Sequence, residues 1–83
     1  MKMSEGQLEV NYDGKPAQIH DALRRTRTDA GLTYGQIAEP MGTTIAAVRR
    51  IEASPTGEKH APSFDTLSRY ATACGKTLRI AFV

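Results

Sequence analysis

A mainly α-helical bundle of about four helices, with a short strand at either end, is the architecture that this chain of 83 residues predicts. Apolar residues recur at helical spacing in four stretches between residues 16 and 75, and Gly31, Gly42 and Gly75 stand where three of them stop. Two flanking segments alternate apolar with polar residues instead, the period of a strand. A chain of this length makes one small domain, near the size at which apolar burial only just offsets chain entropy. A second subunit is therefore an expected source of stability.

Residues 7 to 12, QLEVNY, put Leu8, Val10 and Tyr12 on one side of a strand, and DGKP follows as a turn. From Pro16 to Ala30 the spacing of Ile19, Leu23 and Thr26 or Arg27 gives an amphipathic helix, opened by proline in its first turn and closed by Gly31. Arg24, Arg25 and Arg27 are expected to face outward from it. The run YGQIAEPMGTTIAAVRRIEA, Tyr34 to Ala53, then reads as two short helices joined by a tight turn. Ile37, Ala38 and Met41 share one face, Gly42 occupies the turn, and Val48 and Ile51 return at helical spacing. Thr33 with Gln36 makes a capping box for the first of these helices, and Thr43 or Thr44 can cap the second. The small Ala38 permits close approach of the two axes. Pro40 removes the bond to the carbonyl of Gln36 and is expected to kink or shorten its helix.

Residues 54 to 62, SPTGEKHAP, read as a polar loop in which Lys59 and His60 either reach a phosphate or are simply solvated. Ser63 caps a last helix whose Phe64, Leu67, Ala71 and Cys74 recur on one face, with Asp65 in its first turn. In KTLRIAFV, Leu78, Ile80 and Phe82 lie opposite Thr77, Arg79 and Ala81, the pattern of a half-buried strand. Such a strand must pair with residues 7 to 12, with its copy in a second subunit, or with both. Dimerisation through Leu78, Ile80 and Phe82 is the leading assembly expectation. The chain thus divides into an N-terminal strand and arm (1–15), a helical domain (16–75) and a C-terminal dimerisation strand (76–83).

Composition excludes several classes of function. No apolar run approaches the ~20 residues that span a bilayer. The start MKMSEGQ lacks the apolar core of a signal peptide, so a cytoplasmic protein is expected. The single cysteine, Cys74, cannot form an internal disulfide and fits a small buried hydrophobe. His20 and His60 lie on different elements, and no paired carboxylates, phosphate-cradling glycine loop or zinc-ligand spacing occurs. Neither enzymatic activity nor a metal or other cofactor is expected. The net charge of +2 permits nucleic-acid binding without requiring it.

If Val48 and Ile51 point inward, Ala46, Arg49, Arg50 and Ala53 form the opposite face, and a positive helix N-terminus lies beside it. With that face in place, the segment from Ala17 to Ala81 resembles the Cro/C1-type (XRE-like) helix-turn-helix family. The likeness is carried by Leu32 to Glu52 and by PSFDTLSRYATACGK, residues 62 to 76. It implies a compact helical bundle that binds duplex DNA as a homodimer, with the helix from Ile45 in the major groove. The implied contacts fall on Tyr34, Thr44, Ile45, Ala46, Arg49 and Arg50. Many relatives carry glutamine where this chain has Tyr34 and Ile45, so amide readout of adenine is not available to it. Thr43 likewise replaces a more usual aliphatic residue.

On that resemblance Arg49 offers a fork to guanine, Arg50 grips phosphate, and Ile45 and Ala46 sense a thymine methyl or permit close approach. Tyr34 either donates its hydroxyl to phosphate or packs its ring against the loop. A dimer would set two such helices about 34 Å apart and select an inverted-repeat operator. The ending GKTLRIAFV also resembles the antitoxins of Hip-type and Hig-type toxin–antitoxin pairs, which implies an autoregulating repressor with a toxin partner. The acidic residues 1 to 16 are the expected seat of a basic toxin. A free-standing repressor and a module that binds only protein are the other readings.

Overall fold

In a computed structural model, residues 6–53 and 62–83 are described. The elements run β1 (Gln7–Tyr12), α1 (Pro16–Ala30), α2 (Tyr34–Met41), α3 (Ile45–Glu52), α4 (Phe64–Ala73) and β2 (Thr77–Phe82). Of the expected loop at residues 54–62, residues 54–61, Lys59 and His60 among them, lie outside the described residues.

Local chemistry sets the helix ends. Pro16 opens α1, and Gly31 closes it at φ 71°, with the Gly31 and Leu32 N–H groups reaching the Thr28 and Arg27 carbonyls at 3.1 Å each. The Thr33 hydroxyl accepts from Gln36 N at 3.1 Å while the Gln36 side chain accepts from Thr33 N at 2.8 Å, completing the capping box of α2. That helix passes Pro40 by one residue and stops at Gly42, at φ 69°. Thr44, rather than Thr43, caps α3 by accepting from Ala47 N at 3.1 Å. Ser63 does the same for α4 through Thr66 N.

Leu8, Val10, Ile19, Ala22, Leu23, Ile37, Ala38, Val48, Leu67, Tyr70 and Ala71 make the core, so every element but β2 buries at least one residue fully. Phe64 departs from the expected apolar face and is 65% exposed. Helical side chains lean toward the N-terminus, and from the first position of α4 that lean carries Phe64 past the end of the core. Tyr70 takes the inward place instead, between Leu67 and Ala71.

The two strands pair with each other in parallel, Leu8 opposite Leu78 and Val10 opposite Ile80. Leu78 and Ile80 are half-buried against the core. Phe82 is 72% exposed and meets Tyr12 edge to face at 6.2 Å, and Val83 N donates to the Tyr12 carbonyl at 3.0 Å. On the outer face Arg79 and Glu9 approach to 3.4 Å.

A buried polar network corrects the expectation that Arg27 faces outward. Its side chain is only 14% exposed and binds Glu52 through Nε–Oε2 at 2.6 Å and Nη2–Oε1 at 3.3 Å, while Nη1 donates to the Leu32 carbonyl at 3.1 Å. Glu52 itself is buried, and the Tyr70 hydroxyl donates to it in a short hydrogen bond, with the Leu23 carbonyl 3.1 Å from the same oxygen. Burial first, and then this bond to Glu52, drives the Tyr70 phenol far above its ordinary range. The Glu52 hydrogen bond raises Arg27 as well, so the guanidinium stays charged. Beside this network His20, also buried, donates Nδ1–H to the Ile51 carbonyl at 2.7 Å.

Cys74 caps the C-terminal end of α4, half-buried against the core. Burial pushes its thiol from 9.0 up to about 11, helped by the Glu52 charge. The unfolded chain therefore ionises first. The stabilising share of Cys74 is complete below pH 9.0 and is lost as pH rises through about 11. Urea midpoints across that window are expected to fall more steeply in the wild type than in Cys74→Ala.

Candidate nucleic-acid interface

The turn at Gly42 lets α3 fold back across α2. The Gly42 and Thr43 N–H groups bond the Glu39 and Ala38 carbonyls at 3.0 Å each, so the residues that leave α2 are held by its own last turn. Val48 is then fully buried and Ile51 half-buried, which fixes the rotation of α3 about its axis. Thr44, Ala46, Arg49, Arg50 and Ala53 are exposed, and Ile45 is 52% exposed. Ala46, Arg49, Arg50 and Ala53 line one shallow concavity. The residues that the sequence placed on α3 and at its cap are thus presented together.

Among the described residues neither Arg49 nor Arg50 pairs with a carboxylate, whereas Arg24, Arg27, Arg69 and Arg79 each do. Both arginines are in the last turn of α3, while the cap and first turn present Thr44, Ile45 and Ala46. The helix offers a neutral, small-residue front edge and a cationic rear, with the positive end of its dipole at the front. A phosphate-bearing groove suits both ends.

Tyr34, at the start of α2, joins this face through its ring. Arg49 Cζ lies 5.9 Å from the ring centroid and Arg27 Cζ lies 4.3 Å from it. The dimerisation candidates Leu78, Ile80 and Phe82 lie on β2, which is a separate element. Arg27, Glu52 and Tyr70 were missed as supports of the site. One signal pointed to them: Val48, Ile51 and Glu52 are spaced i, i+3 and i+4, so the carboxylate follows the apolar face inward.

Two helices held across a glycine turn, the second showing arginines with no carboxylate partner among the described residues, define a helix-turn-helix of a form consistent with DNA binding. The model of the helix-turn-helix domain family matches residues 21–78, and the chain belongs to that family, in its XRE-like form. Domains of this family are usually not enzymes. No curated protein and no solved structure matches the chain. None of the described helices is long and apolar enough to cross a membrane.

Proposed function

We propose that this protein is a cytoplasmic, sequence-specific repressor that binds duplex DNA as a homodimer on an inverted-repeat operator. The observation that carries the proposal is the exposed face of Ala46, Arg49, Arg50 and Ala53, whose arginines have no carboxylate partner among the described residues. Affinity comes mainly from cationic and backbone N–H contacts to phosphate, so it falls steeply with salt. Specificity comes from Arg49 on guanine and from Ile45 and Ala46 against a thymine methyl. Titration of fragments of the protein's own promoter at two salt concentrations tests this. No salt-dependent shift of any DNA, together with a stable complex with a second protein, would leave only a protein-binding module.

Arg49→Ala is expected to lose about 1–3 kcal/mol at one defined base pair, while Arg50→Ala weakens all sequences alike. Equal losses on cognate and scrambled DNA for Arg49→Ala would contradict the assignment.

The homodimer draws support from the sheet. Among the described residues the sheet has two strands, so β2 has one edge whose ladder groups β1 does not use, and Phe82 and Val83 are exposed at its end. An antitoxin role is a narrower form of the same proposal, supported by the ending GKTLRIAFV that forms β2. In that role residues 1 to 16 hold the toxin. A small toxin-like reading frame directly adjoining this one, and loss of the complex on deleting those residues, are its tests.

A further inference from the structure

We propose that Tyr34 is a positioning residue, whose ring, braced by Arg27, holds the Arg49 guanidinium ready for a base. The inference rests on the DNA-binding reading above and assigns within it a role that hydrogen bonding to phosphate does not supply. The ring is fixed from several sides. Tyr34 is half-buried at the first position of α2, inside the Thr33–Gln36 capping box that sets the backbone there. Arg27 lies 4.3 Å from its centroid and is itself held by two bonds to Glu52 and one to the Leu32 carbonyl. Glu52 in turn is held by Tyr70 from the core.

Arg49 lies 5.9 Å from the same centroid, at the outer reach of a cation–π contact. The Arg27 guanidinium would ordinarily repel a second cation brought to the same ring, but its charge is balanced by the Glu52 carboxylate. The ring face therefore remains attractive to Arg49. An exposed arginine has a large rotamer entropy to lose when it engages a base edge, and a ring that restricts it beforehand lowers that loss. The Tyr34 hydroxyl makes no hydrogen bond among the described residues. Among these residues it is the aromatic face, not the hydroxyl, that has partners.

The test begins with a duplex site selected from a random pool by the wild-type protein. Arg49→Ala then identifies the base pair that Arg49 reads. Tyr34→Leu is expected to lose about five-fold in discrimination at that pair and little elsewhere. Tyr34→Phe, which keeps the ring, restores it, and adding Tyr34→Leu to Arg49→Ala costs no further discrimination. Equal losses on every sequence in both Tyr34→Phe and Tyr34→Leu would overturn the proposal in favour of a hydroxyl on phosphate. Unchanged discrimination in Tyr34→Leu would remove the Tyr34 role while leaving DNA binding intact. A wild-type protein that selects no duplex removes the DNA-binding reading, and this proposal with it. Should Tyr34→Leu fail to fold, nuclear Overhauser contacts between the Arg49 δ protons and the Tyr34 ring in the wild type decide: present, they support the arrangement; absent, they overturn it.

Discussion

Glu52→Ala is expected to lose about 3–5 kcal/mol of stability, enough to leave a domain of this size largely unfolded. The loss does not measure the strength of the Arg27–Glu52 attraction. Removing the carboxylate leaves without a counter-charge a guanidinium that is only 14% exposed, and leaves the fully buried Tyr70 hydroxyl only the Leu23 carbonyl. A surface pair such as Arg24 with Asp21, each about half exposed, contributes little by comparison. Removing all three polar groups together, as Arg27→Met, Glu52→Leu and Tyr70→Phe, is expected to recover most of the loss, because no buried charge is then left unpaired. Urea unfolding of the single and triple variants checks both statements. A single variant as stable as the wild type would show that solvent reaches the network.

The second large effect is expected outside the matched family segment. Leu8→Ala in β1 is expected to cost about 2–5 kcal/mol, the range for a leucine deleted from a closed core. Leu8 is fully buried, lies opposite Leu78, and shares the core with Ile19 and Leu23 of α1. Gln7→Ala in the same strand is the control. Gln7 is exposed, and surface changes of that kind stay within about 0.5 kcal/mol. A loss for Leu8→Ala no larger than the control's would mean that β1 only decorates a domain complete without it. The expected outcome makes β1 integral to the fold, although the family match begins at residue 21.

Most of the architecture was legible because its signals are local. Caps, glycine stops and apolar spacing act within four or five residues, so Thr33, Gly42 and Val48 fixed the boundaries and rotation of α2 and α3. The outward face of Ala46, Arg49, Arg50 and Ala53 followed from that rotation. What was not legible depends on contacts distant in the chain. Arg27 faces inward because Glu52 lies 25 residues away in sequence, and Glu52 can be buried because Tyr70 lies 18 further on. Periodicity puts Glu52 on the apolar face but does not name the partners that let a charge stay there. Phe64 was misplaced for a simpler reason: its spacing matches the apolar face, but the core ends before the first turn of α4. The strand alternatives stayed open for want of a sequence signal that distinguishes a partner in the same chain from one in another.

The parallel ladder of β1 on β2 has a consequence for biosynthesis. During translation β1 leaves the ribosome well before β2, and its Leu8 and Val10 have no Leu78 or Ile80 beside them until all four helices have emerged. Helices that depend on near neighbours form on the nascent chain, but the sheet closes only once β2 is free. The sheet is thus the last layer of the domain to close, after the helices that lie between its strands.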